Sequence, residues 1–91
     1  MNGQRLAAWN LRKWRVARDL SQEKLAVDAG VDRAHVSRLE RGIDNVTVQV
    51  LDRLAAALEI HISEFFRIPE RGEARPKPLP RGRRKAPLRR R

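Results

Sequence analysis

The sequence contains no cysteine, so neither a disulfide nor a thiolate metal site holds the chain together, as fits a reducing cytoplasm. Its longest unbroken apolar run is Leu54 to Leu58, far short of the roughly 20 residues that a membrane-spanning helix needs. The first ten residues, MNGQRLAAWN, lack the apolar core of a signal peptide. The two histidines, His35 and His61, have no ligand spacing with each other or with carboxylates, and no metal site or cofactor is expected. No nucleophile–base pair, carboxylate dyad or phosphate-binding glycine loop is visible either, which argues against an enzyme. Ninety-one residues suffice for one small domain. The expectation is a cytoplasmic protein with no membrane partner.

Net charge is also nearly missing from part of the chain. The net charge is +10, yet residues 1–66 hold 10 Lys/Arg against 9 Asp/Glu, a net of +1. Residues 67–91 hold 11 against 2, a net of +9, together with all five prolines. A nearly neutral domain, residues 1–66, therefore carries a basic tail, residues 67–91. Pro-rich charged sequence cannot bury enough apolar surface to offset its chain entropy, so the tail reads as disordered. Its polycation blocks, at 80–85 and 89–91, suit salt-sensitive, nonspecific nucleic-acid binding by counterion release. A solvated tail with no selected role is the competing reading. Few aromatics are present to stack bases, which disfavours a single-strand RNA binder.

The stretch Ser21 to Gly42 organises the rest. Ser21 is a good N-cap for a helix to Ala29, and Gly30 can take the left-handed conformation that ends it. Asp32 caps a second helix, about Arg33 to Arg41, ended in the same way by Gly42. Two helices across a short glycine-containing turn form a helix-turn-helix, whose second helix enters the DNA major groove. Projected at about 100° per residue, that helix turns Val36 and Leu39 inward, with His35 at their edge. Arg33, Ala34, Ser37, Arg38 and Arg41 lie on the other face. That face has long cations, a hydroxyl, one small residue and no carboxylate, and it suits a polyanion.

Elsewhere, Ala7, Leu11, Trp14 and Ala17 form an apolar stripe on a first helix, about Gln4 to Arg18. Trp9 and Val16 project to the opposite side. They are either covered by another part of the chain or form a contact patch for a second protein. Thr47 can cap a helix at about Val48 to Leu58, with Val48, Leu51, Leu54, Ala55 and Leu58 inward. Ile62, Phe65 and Phe66 suggest a short fifth helix, closing the core or forming a dimer seam.

Leu20-Ser21-Gln22-Glu23, Leu25-Ala26, Ala29-Gly30-Val31 and Val36-Ser37-Arg38-Leu39-Glu40-Arg41-Gly42 resemble the phage-repressor helix-turn-helix family. This is the Cro and lambda-repressor-like, or xenobiotic-response-element (XRE), family. The similarity extends upstream to Leu11, Trp14 and Arg15 and downstream to Phe66, covering roughly residues 6 to 66. It implies an all-α, compact five-helix domain that binds double-stranded operator DNA, usually as a homodimer. It also implies an ion pair between Arg15 and Glu40, which makes Glu40 structural, and a place for Gln22 beside a backbone phosphate. Arg33, Ala34, Ser37 and Arg38 match positions that read base edges or neighbouring phosphates. Arg33 and Arg38 are the strongest candidates, since a guanidinium can bond guanine O6 and N7 together. Phosphate contact without sequence reading is the alternative. Arg41 and Asn45 complete the expected DNA-facing set.

Departures from the family's pattern are also visible. Asp19 stands where Gly is common, and Glu59 replaces a terminating Gly, at a cost of about 1 kcal/mol. Ile43 and Asp44 stand where relatives carry a basic pair, weakening the case for phosphate contacts there. Together these readings imply a transcriptional repressor acting on a palindromic operator. Because the tail is too polar to be a sensing domain, control would come from concentration, autoregulation or a partner. One alternative is the antitoxin of a toxin–antitoxin pair, which binds a toxin and autorepresses its operon. The other is a nonspecific nucleic-acid packaging protein driven by the tail.

Overall fold

The computed structural model describes residues 1–70 and 72. Among them the chain is all-helical and forms four α-helices: α1 (Gly3–Ala17), α2 (Gln22–Ala29), α3 (Arg33–Glu40) and α4 (Val48–Leu58). Where a short fifth helix is expected, Ile62–Phe66 forms a five-residue 3₁₀ helix, so the α-helices number four among the described residues. Of the tail, residues 67–70 carry no helix or strand. The expectation of disorder for most of the remainder lies outside the described residues.

Three N-caps follow from local side-chain chemistry. The Asn2 side chain accepts from the Arg5 N–H, Ser21 from Lys24 and Thr47 from Val50. Asp32 stands at the start of α3 but its side chain makes no capping bond. It therefore marks the helix boundary without satisfying a backbone donor.

All four α-helices end alike. Asp19, Gly30, Gly42 and Glu59 adopt positive φ angles of 60°, 72°, 74° and 60°. The next residue, Leu20, Val31, Ile43 or Ile60, then donates its N–H back to the carbonyl of Arg15, Ala26, Arg38 or Ala55. This is the Schellman arrangement, which satisfies carbonyls that a bare helix end leaves free. Glycine meets the requirement without a Cβ penalty at two of the sites, whereas Asp19 and Glu59 carry that penalty.

Leu11, Leu25, Val36, Leu39, Leu51, Leu54, Leu58 and Phe65 form one buried cluster where the helices meet. α2 packs on α3 and α4, while α1 packs on α3 and on the 3₁₀ turn. Two residues of the expected inner faces lie outside this core. Val48 is 68% exposed, because it opens α4 beyond the reach of neighbouring elements. Ala17 is exposed because the apolar stripe of α1 turns off the core as Leu11, Trp14 and Ala17 are passed in order. Trp14 is half-buried against the core, with the Arg18 guanidinium 5.1 Å from its ring centroid. Arg18 also donates from Nε to the Leu58 carbonyl at 2.8 Å, joining the ends of α1 and α4.

Candidate nucleic-acid interface

The second helix of the helix-turn-helix is held by a buried polar cluster. Arg15 on α1 donates through Nε and Nη2 to the two oxygens of Glu40, the last residue of α3. Its Nη1 donates to the Leu20 carbonyl at 2.7 Å. Gln22, the first residue of α2, donates to Glu40 Oε1 at 3.1 Å. The Arg15 and Glu40 side chains are only 7% and 2% exposed. One carboxylate thus ties α1, the start of α2 and the end of α3 together. Paired fork-to-fork with further hydrogen bonds, the two charges meet the condition for tolerating burial.

Outward from this cluster, Arg33 and Ala34 are exposed, Ser37 and Arg38 are half-exposed, and Arg41 is exposed just past the end of α3. Asn45 is exposed in the loop that follows. Val36 and Leu39, on the opposite face, are buried. His35 is half-buried, and its Nε2 is buried with no partner among the described residues. At the N-terminus of α2, the Ser21 hydroxyl accepts from Lys24 at 2.9 Å. The first-turn N–H groups of Gln22 and Glu23 have no carbonyl within the helix to bond. A helix N-terminus of this kind favours an anion.

The proposed contact residues divide. Phe65 is fully buried and closes the core, where it cannot contact a second protein. Phe66 is 46% exposed, and Ile62 is half-buried. Trp9 is half-buried too, with its indole N–H buried and unbonded among the described residues.

Three polar links escaped the sequence reading. Arg38 Nε donates to Asp44 Oδ2 at 2.7 Å. Gln4 Nε2 donates to the Gly42 carbonyl at 2.7 Å and to the Asp44 carbonyl at 3.2 Å. Asn10, only 1% exposed, directs its side-chain N–H groups at the carbonyls of Leu6, Phe65 and Arg67. A residue six positions from Arg38 is not a helical neighbour. The Gly42 turn brings Asp44 back, and spacing alone does not reveal that.

No helix among the described residues is long and apolar enough to cross a membrane, and these residues hold no cluster of metal-ligating groups. The sequence profile of the helix-turn-helix family, HTH_3, matches residues 11–65. Over 57 residues the chain is 37% identical to the HTH-type transcriptional regulator SlrR of Bacillus subtilis (strain 168), covering 62% of this chain and 38% of SlrR. The crystal structure of the hypothetical transcription factor NHTF from Neisseria superposes with a TM-score of 0.72 at 34% identity, over 75% of this chain and 78% of that one. In sequence, the match spans 59% of the Neisseria meningitidis transcription factor's length. The restriction-modification controller protein C.AhdI from Aeromonas hydrophila superposes with a TM-score of 0.67 at 41% identity, over 69% of this chain and 96% of C.AhdI. With its buried bracing cluster and a profile match over most of the helical domain, this chain belongs to the Cro/C1-type, XRE-like helix-turn-helix family of DNA-binding transcription regulators.

Proposed function

We propose that the protein is a sequence-specific repressor that binds a two-fold symmetric DNA site as a homodimer. The observation that carries this reading is the outer face of α3, where Arg33, Ala34, Ser37 and Arg38 surround no carboxylate of their own helix. The buried Arg15–Glu40–Gln22 cluster sets the angle of that face. In this reading Arg33 and Arg38 read guanine edges in the major groove, each bidentate contact giving about 1–3 kcal/mol of discrimination. Ala34 meets a thymine methyl, and Ser37 serves a base or a phosphate. Gln22 and the free N–H groups of α2 hold a backbone phosphate, while Arg41 and Asn45 contact the flanking backbone. Such contacts fix register without reading sequence.

A second copy places the other α3 one DNA turn away, at about 34–36 Å. The exposed Phe66 ring, with Ile62 and Trp9, offers the apolar surface for that pairing. Selection of bound sequences from random duplex DNA at near-physiological salt tests the reading. Enrichment of a two-fold symmetric site with guanines in each half is the expected result. Recovery of random sequence would instead indicate binding through charge alone.

A further inference from the structure

Asp44 places a carboxylate beside Arg38, one of the two arginines best suited to read a base. Its Oδ2 accepts from Arg38 Nε at 2.7 Å, and the side chains are 43% and 29% exposed for Arg38 and Asp44. A pair this exposed adds little to stability. It also reduces the positive charge available to phosphates. Neither consequence gives the residue a use, but the geometry of the bond does.

A guanidinium has three nitrogens, and the carboxylate occupies only Nε. Among the described residues neither Nη1 nor Nη2 of Arg38 has an acceptor. Those two nitrogens form the terminal fork that fits guanine O6 and N7 together. Holding Nε fixes the plane of the guanidinium and leaves that fork free. The carboxylate is itself held in place. Gln4, in the first turn of α1, donates to the carbonyls of both Gly42 and Asp44. The left-handed Gly42, at φ 74°, turns the chain between Arg38 and Asp44. Gln4 thus fixes the loop backbone, the loop presents the carboxylate, and the carboxylate orients the arginine.

We propose that Asp44 is a specificity-determining positioning residue, which holds Arg38 for end-on recognition of one guanine in each half-site. The proposal rests on the DNA-reading function above. A pre-oriented fork loses less rotamer freedom on binding the right base. The Asp44 carboxylate also disfavours placing Arg38 against a phosphate, because the acid would then approach the backbone. Both effects sharpen base preference at the cost of nonspecific affinity.

The test is sequence selection with the full chain, run in parallel on the wild type, Arg38→Ala, Asp44→Ala and Asp44→Asn. Arg38→Ala identifies the base position that Arg38 reads. Asp44→Ala is expected to lower preference at that same position by about tenfold. Nonspecific affinity should stay level or rise, with the melting temperature within about 2 °C of wild type. Asp44→Asn keeps a carbonyl oxygen that can accept from Nε, so it should retain most of the preference. If the wild type enriches no site, the DNA-reading function itself fails. If it enriches a site and Asp44→Ala leaves that position unchanged, or alters a different one, the positioning role is overturned. A uniform gain in affinity without altered preference would show that Asp44 merely masks Arg38.

Discussion

At the residue scale, the Glu40 carboxylate joins α1, α2 and α3. It takes bonds from Arg15 twice and from Gln22 once, and it is nearly sealed from water. Removing its charge leaves the Arg15 guanidinium buried without a counterion. Glu40→Gln is therefore expected to cost about 3 kcal/mol in chemical denaturation, since breaking one side of a buried pair is far costlier than losing a surface pair. DNA affinity should fall with it, because the angle of α3 depends on the same bonds. Unchanged stability would remove Glu40 from the bracing role. The pair is 25 positions apart in sequence, and only the family resemblance suggested it. The Arg38–Asp44 bond had no such guide, since neither helical spacing nor the resemblance pairs those positions. Asn10 was hidden for a similar reason: its deepest partner, the Phe65 carbonyl, lies 55 residues away.

At the element scale, short-range chemistry was readable and long-range closure was not. Ser21, Thr47, Gly30 and Gly42 act within one helical turn, so their side chains or missing Cβ announce the boundaries. The turn at Ile62–Phe66 depends instead on a contact with α1. Three apolar side chains in five residues cannot tell a 3₁₀ helix from an α-helix. Glu59 gives a direct test of the helix-end argument. It holds φ at 60°, so Glu59→Gly should stabilise the protein by about 0.5–1 kcal/mol, after the extra freedom of glycine in the unfolded chain is discounted. Thermal melting should rise by about 2–8 °C, and a lower value would contradict the strain assigned there. Asn10→Ala tests the closure. Loss of its amide leaves the Phe65 and Arg67 carbonyls without that donor, at about 1–3 kcal/mol. Hydrogen exchange should accelerate first in the 3₁₀ turn.

For the whole molecule, the excess charge and the proposed recognition face belong to different parts of the chain. The helical domain is almost neutral, and the excess of Lys/Arg lies in residues 67–91. Each phosphate neutralised adds about 0.9 to the slope of log affinity against log salt. Deleting the basic tail beyond residue 70 should therefore flatten the salt dependence and weaken binding while leaving the preferred sequence intact. A changed preference would assign the tail a reading role. In the proposed complex the exposed face of α3 meets guanine edges in two half-sites. Methylation protection of guanine N7 on the selected site tests this contact most directly, comparing the wild type with Arg38→Ala. Guanines in both half-sites, about one turn apart, should be protected, with one guanine per half-site losing protection in the variant. Absence of guanine protection, or a pattern indifferent to Arg38, would contradict the proposed complex.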